Sequence, residues 1–182
     1  MMALLLVIGG VLLLFVFMVI ATYNSLVKLR NLVDSAWSGI TIQLKLRADL
    51  IPNLVATVKG YAAHEESVFS EIADARARMA GTTSPKELAN ANEELTGALG
   101  RLFAVAESYP DLKASTNFSD LQTELSDIEN KIQAARRGYN NGVTEYNTKL
   151  QIFPNNIIAS MFNFKEREFF GVSEEESKKI AD

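Results

Sequence analysis

The sequence contains no cysteine, one histidine and only four prolines in 182 residues. The absence of cysteine excludes disulfide scaffolds, Cys-ligated zinc or iron sites and thiol nucleophiles. The formal net charge of −4 argues against a nucleic-acid-binding protein, because such proteins carry a basic surface. These absences leave a protein whose chemistry, if any, would depend on few residue types.

The one histidine, His64, is followed by Glu65 and Glu66. A zinc-binding helical motif of this kind needs a second histidine four positions on, and position 68 is Val68. The glycines match neither a phosphate-binding loop nor a dinucleotide-binding fingerprint. The sequence therefore predicts no catalytic residue, no metal and no cofactor, and we do not expect an enzyme.

Charged side chains are absent from Met1 to Val27. The apolar run over residues 1–21 would span about 30 Å as a helix, which is the thickness of the hydrocarbon core of a bilayer. We predict a single-pass transmembrane anchor over residues 1–22. A cleaved signal peptide is the competing interpretation, but the run lacks the Lys or Arg that normally precedes one. The residues predicted to lie in the membrane are Leu4, Leu5, Leu6, Val7, Ile8, Gly9, Gly10, Val11, Leu12, Leu13, Leu14, Phe15, Val16, Phe17, Met18, Val19 and Ile20.

Positive charge follows the apolar run on its C-terminal side only. Tyr23 comes first, at the position where interfacial aromatic residues collect, and Lys28 and Arg30 come next. By the positive-inside rule, the soluble part of the chain is predicted to be cytoplasmic.

Apolar residues recur at steps of three and four from Leu26 to Met79, which predicts one long helix over about residues 23–80. Pro52 predicts a kink in this helix, because it cannot donate to the carbonyl of Ala48. An end and restart of the helix at Pro52 is the open alternative. Ser84 and Pro85 start a second helix over about residues 85–108, and a third covers about residues 118–153.

The predicted fold is all-α: an N-terminal transmembrane helix continues into an elongated antiparallel three-helix bundle with up-down-up topology, over residues 23–154. Residues 155–171 form a short apolar segment, and residues 172–182 a charged tail. In the up-down-up topology this segment lies far from its own membrane. With a true hairpin at Pro52 it would return to the membrane and lie on it as an interfacial helix.

The first helix would overhang the second by roughly 50 Å, so its apolar seam would lack an intramolecular partner unless the third helix reached back. Exposed apolar seams of this length usually bind partner proteins, and identical chains anchored in the same bilayer are the nearest candidates. We therefore expect a homo-oligomer, and parallel anchors favour a ring. The self-association candidates are Leu26, Leu29, Val33, Trp37, Ile40, Leu44, Phe162 and Phe169.

Short motifs along nearly the whole chain resemble the LemA family. They include Tyr23-Asn24-Ser25-Leu26-Val27, Ala36-Trp37, Asp49-Leu50-Ile51-Pro52-Asn53-Leu54-Val55, Tyr109-Pro110-Asp111-Leu112-Lys113-Ala114, Tyr139-Asn140, Tyr146-Asn147 and Phe153-Pro154. Thr41, Gly138 and Gly142 depart from the family pattern. The resemblance implies a bacterial membrane-anchored protein with an elongated helical domain and no enzyme activity. Its relatives include a protein of magnetosome membrane formation, and some family genes lie near membrane proteases.

The leading hypothesis is a non-enzymatic scaffold in the bacterial inner membrane that self-associates and organises or shapes the bilayer. The alternative is an adaptor or sensor that recruits a membrane-protein partner, such as a protease or an envelope-stress component. In both cases the lipid bilayer is a partner and nucleic acid is not.

Overall fold

The computed structural model describes residues 1–171, and this range folds into six helices without a strand. In chain order they are α1 (Met2–Lys59), α2 (Glu66–Gly81), α3 (Pro85–Ala106), α4 (Pro110–Lys113), α5 (Thr116–Gln151) and α6 (Asn155–Met161). The prediction of an all-α protein with a long apolar N-terminal helix is confirmed. The charged tail expected over residues 172–182 lies outside the described residues.

α1 is one helix of 58 residues that runs through Pro52 to Lys59. Pro52 has no N–H for the carbonyl of Ala48. Nε of Arg76, on α2, donates to that oxygen over 3.0 Å. A neighbouring helix thus supplies the hydrogen bond that α1 loses at Pro52, and α1 continues past it. The buried residues of α1 are Leu26, Val33, Ile40, Leu44, Arg47, Ile51, Leu54 and Val58.

The chain turns between α1 and α2, at residues 60–65, and not at Pro52. This corrects the expectation of one helix over residues 23–80. Gly60, a residue of low helix propensity, follows α1, and Nζ of Lys59 lies 5.1 Å from the ring centroid of Phe69 across the turn. Ala62 takes the buried position in the turn, and Tyr61 is 47% exposed.

α1 and α5 lie antiparallel along most of their soluble length. Near the far end, Nδ2 of Asn117 donates to the hydroxyl of Thr57 over 3.0 Å. Nearer the apolar end, the rings of Trp37 and Tyr139 are 5.5 Å apart. α2 and α3 form a second antiparallel pair that two exposed ion pairs join. The chain therefore runs up, down, up and down, and the three-helix up-down-up topology is not confirmed.

The additional turn reverses the helix that we expected to run outward. α5 descends toward the apolar end of α1, and α6 follows it there. Four helices therefore pack in the far half of the bundle, while α1, α5 and the chain after α6 form the near half. Leu26 and Ile40 of the α1 seam have no exposed surface, and Val33 and Leu44 are 2% exposed. The helix α5 therefore reaches back along this seam and covers it, which is the exception that we allowed to the expected overhang.

Candidate functional site

The apolar end of α1 is not part of the core. None of residues 2–20 is buried, and the side chains of Leu6, Leu13 and Phe17 are each more than 70% exposed. Among the described residues, α1 is the one helix that is long and apolar enough to cross a membrane. The predicted membrane residues Leu4 to Ile20 all lie on this part of α1. A long apolar stretch of helix without a buried side chain in its own fold suits a bilayer.

An aromatic cluster joins the end of this apolar stretch to the C-terminal part of the chain. The ring of Tyr23 lies 4.8 Å from that of Phe162 and 5.6 Å from that of Phe164, between centroids. Cζ of Arg30 lies 5.4 Å from the centroid of Phe164, a cation–π contact. α6 therefore ends beside α1 at the level where the charge-free stretch ends.

α6 has a buried side and an exposed apolar side. Ile158 and Ala159 are buried. The exposed side includes the residues that lead into α6 and the residue that ends it, and we call this set the α6 patch. Its members, each between 48% and 75% exposed, are Ile152, Phe153, Ile157, Met161 and Phe162. The patch thus places large apolar side chains on the surface next to the membrane end of α1.

Residues 164–171, which we call the strap, lie in the groove between α1 and α5. Two asparagines of α5 hold the backbone of the strap. Nδ2 of Asn147 donates to the carbonyl of Arg167, and Oδ1 accepts from the N–H of the same residue, both over 2.9 Å. Asn140 makes the same pair of bonds with Phe170, over 3.1 and 2.9 Å. Because a carboxamide carries a donor and an acceptor, each asparagine satisfies both backbone groups of one strap residue.

Further contacts attach the strap to both helices. The guanidinium of Arg167 forms an ion pair with Asp34 of α1, with 2.6 Å between Nη2 and Oδ1. The hydroxyl of Tyr139 donates to the carbonyl of Glu168 over 2.8 Å, and burial raises the pKa of Tyr139 to about 12. The ring of Phe170, 2% exposed, lies 6.1 Å from that of Trp37. The strap therefore takes the place of a third helix in the near half.

Sequence reasoning missed the role of the two asparagines. The signal was the dipeptide Tyr-Asn, which occurs at Tyr139-Asn140 and again seven residues later at Tyr146-Asn147. Seven residues make about two turns of helix, so this spacing puts both tyrosines on the buried face of α5 and both asparagines on the adjacent face. A repeated polar residue beside a core position is a sign that the helix binds an irregular segment.

A polar cluster lies inside the far half of the bundle. Arg47 is 4% exposed, and its Nη1 lies 2.7 Å from Oδ1 of Asn92 and 2.7 Å from Oε2 of Glu129. Burial lowers the pKa of Arg47, and the negative charge of Glu129 opposes this shift. Gln133 donates to the other carboxylate oxygen of Glu129 over 2.8 Å. The cluster joins α1, α3 and α5, and within residues 1–171 no group of His, Asp and Glu residues could hold a metal ion.

Most of the predicted self-association residues lie inside the fold. Leu26, Val33, Ile40 and Leu44 are buried. Leu29, Trp37 and Phe169 are partly buried against the core. Phe162, on the α6 patch, is the one of the eight that remains exposed. Any contact between copies that uses α1 must therefore use another face of this helix.

α1 does have a second apolar face, which sequence reasoning missed. Leu32, Ile42 and Leu46 are 60%, 57% and 47% exposed. Ser35 and Gly39, two small residues, complete a spacing of three and four with them. We call these five residues the outer face. It was hidden in the sequence because the stronger seam on the same helix accounted for the periodicity.

Comparison with known proteins finds similarity over most of the chain. Residues 36–181 match the sequence model of the LemA family. Protein LemA of Metamycoplasma hominis is 31% identical over 164 residues, which cover 88% of this chain and 74% of the relative. Magnetosome protein MamQ 2 of Paramagnetospirillum magneticum is 28% identical over 182 residues, covering 86% of this chain and 67% of the relative. Magnetosome protein MamQ of Magnetospirillum gryphiswaldense is 26% identical with the same coverage.

Proposed function

The chain belongs to the LemA family, and on this basis we propose that it is a non-enzymatic, membrane-anchored scaffold whose copies associate side by side and organise the bilayer. Similarity to magnetosome proteins supports the link to membranes. Among the described residues the most buried charged group, Arg47, contacts Asn92 and Glu129 and so joins three helices.

The observation that carries this proposal is the outer face of α1. Leu32, Ile42 and Leu46 expose apolar surface on the helix that also forms the anchor. Gly39 lies between them and adds no side chain, so the backbone of a second helix comes close there. On the opposite side of α1, Trp37 contacts α5, Ala48 contacts α2 and Asp34 contacts the strap.

Anchoring makes a second copy the nearest occupant of this face. Chains that share one membrane and one orientation present the same residue at the same height, so their outer faces meet in register. A pair of identical faces closes a dimer, whereas an offset contact extends to a ring or filament. Because α1 is continuous from Met2 to Lys59, order among the soluble parts is transmitted directly to the anchors.

Site-specific crosslinking tests the association, because the chain has no native cysteine. Ile42→Cys in the full-length protein, in membranes, is expected to form a disulfide-linked dimer rapidly on mild oxidation. Ser126→Cys, at an exposed position on α5, is the matched control and should crosslink slowly. Equal rates for the two variants, together with a monomeric mass in detergent, would refute self-association through this face.

The adaptor function is the second outcome of the same experiment. In this version a photocrosslinking residue replaces Ile42. If the crosslinked product then contains a different membrane protein and no second copy, the outer face recruits a heterologous partner. The Ser126 position again serves as the control. A product that forms at both positions reflects crowding and supports neither function.

We also propose the bacterial inner membrane as the location, with the soluble domain in the cytoplasm, since Lys28 and Arg30 follow the span. A membrane-impermeant maleimide applied to intact spheroplasts should leave Ser126→Cys unlabelled and label it after lysis. Labelling before lysis would place the domain on the other side.

A further inference from the structure

We propose that the α6 patch is seated in the interfacial region of the same bilayer that α1 crosses, so that the chain contacts its membrane at two points. This inference goes beyond the scaffold function, because it requires no association between copies. It needs only the anchor and the return of the chain to the end of the anchor.

The height of the patch comes from the contact between Tyr23 and Phe162, whose ring centroids are 4.8 Å apart. Residues 2–22 already fill about 30 Å of hydrocarbon as a helix, so Tyr23 lies at the level of the lipid headgroups. α6 packs beside α1 at this level. Met18 and Val19, one turn below Tyr23, are partly covered, while Phe17 and Ile20 are exposed.

The composition of the segment agrees with this height. Residues 150–164 form the longest stretch without a charged side chain after the N-terminal one. Ile152, Phe153, Ile157, Met161 and Phe162 are each at least 48% exposed there. A water-exposed apolar cluster of this kind is unusual in a soluble protein and typical of an element that lies on a bilayer.

The boundaries of the segment carry positive charge. Lys149 precedes it and Lys165 follows it, and Lys28 lies one helical turn and a half above Tyr23 on α1. The guanidinium of Arg30, also on α1, lies over the ring of Phe164 at the end of the segment. Glu166, which accepts a hydrogen bond from Gln151, is the nearest acidic group in the sequence after Lys165. Cations at this depth favour the phosphates of anionic lipids.

The lipid surface is a better occupant of the patch than the chain's own bundle. The opposite side of α6, with Ile158 and Ala159, is already buried. The strap leaves α6 and fills the groove between α1 and α5, so no described segment remains to cover Phe153 or Met161. Within residues 1–171, this side of α6 therefore stays uncovered by protein and accessible to the bilayer.

Depth measurements on single-cysteine variants test the proposal. Full-length Phe153→Cys and Met161→Cys are spin-labelled and reconstituted in nanodiscs of phosphatidylcholine and phosphatidylglycerol, at one protein per disc. Oxygen, which partitions into lipid, should relax both labels several times more strongly than a water-soluble nickel chelate does. Ser126→Cys, exposed on the far half of α5, is the control and should show the opposite ratio.

Two results would overturn the proposal. If the nickel chelate relaxes the labels at positions 153 and 161 as strongly as the label at position 126, the patch lies in water. If neither agent reaches them, protein covers the patch. Circular dichroism checks that each variant keeps its helix content. Since each disc holds one protein, a failure of self-association leaves the result unchanged.

Discussion

The guanidinium of Arg76 donates a hydrogen bond to the backbone carbonyl of Ala48, with 3.0 Å between Nε and O. This carbonyl lies four residues before Pro52, so it is the one that the proline leaves without its helical partner. The contact explains how α1 passes a proline in its interior and why α2 packs at this height. A side chain of α2 thus donates the hydrogen bond that the backbone of α1 lacks at Pro52.

A double-mutant cycle tests this relationship. Arg76→Ala should lower the free energy of unfolding by about 1 kcal/mol, because it leaves the carbonyl of Ala48 unpaired. In a Pro52→Ala background the same change should cost much less, since alanine at position 52 donates to that carbonyl itself. Denaturation of the detergent-solubilised protein, followed by the fluorescence of Trp37, gives the four energies.

Arg78→Ala is the matched control for this cycle. Arg78 lies on the same helix and forms an exposed ion pair with Glu94, which is worth a few tenths of a kcal/mol. Its effect should be the same with and without Pro52. Equal costs of Arg76→Ala in the two backgrounds would show that the contact does not compensate for the proline.

The strap should loosen when one of its asparagines is replaced. Asn147→Leu keeps the approximate size of the side chain but removes both hydrogen bonds to Arg167. We expect the amide of Arg167 to exchange its hydrogen about fivefold faster or more, from the loss of at least about 1 kcal/mol of local stability. Mass-spectrometric hydrogen exchange of peptides from residues 164–171 measures this.

Asn141→Leu is the control for the strap, since Asn141 is an exposed neighbour on the same helix. It should leave exchange in the strap unchanged. The exchange of the Phe170 amide, bound by Asn140, shows whether the strap opens as a unit or one clamp at a time. Unchanged exchange in Asn147→Leu would show that the other contacts of the strap hold it without this asparagine.

Periodicity identified the helices but not the order in which they pack. In the sequence, steps of three and four pass from Val58 through Tyr61 and Glu65 to Val68 without a change that marks the end of a helix. A turn that keeps the spacing of the apolar residues cannot be detected from hydrophobic periodicity. This additional turn brings α5 alongside the α1 seam between Leu26 and Leu44.

The strap was beyond sequence reasoning for a different reason. An extended segment held by side-chain amides needs no apolar repeat of its own, and only Phe170 of the strap is fully buried. The information lies on α5, in Asn140 and Asn147. The membrane span was predictable because a bilayer imposes a length and an absence of charge that few other structures need.

Removal of the buried cation should destabilise the far half of the bundle. Arg47→Met fills a similar volume but leaves the amide of Asn92 and the carboxylate of Glu129 without their partner. We expect a loss of about 2 kcal/mol in the free energy of unfolding. A triple variant with Asn92→Leu and Glu129→Leu should recover much of this loss, because an apolar cluster needs no partner. If the triple variant is less stable than Arg47→Met, the loss does not come from the unpaired side chains of Asn92 and Glu129.

Alkaline pH should destabilise the near half of the bundle through Tyr139. Burial raises its pKa from 10.0 to about 12, so the folded protein holds the phenol proton more tightly than the unfolded chain does. This contribution is fully present below pH 10 and is lost as the pH rises towards 12, at up to about 1.4 kcal/mol per pH unit. Burial also raises the pKa of Tyr146, which adds to the slope in the same direction.

Tyr139→Phe lowers stability at pH 8, because the carbonyl of Glu168 loses its donor, but it should flatten the decline between pH 10 and 12. Unfolding free energies of both proteins across this range give the difference, and parallel curves would mean that Tyr139 ionises as readily in the fold as in the unfolded chain.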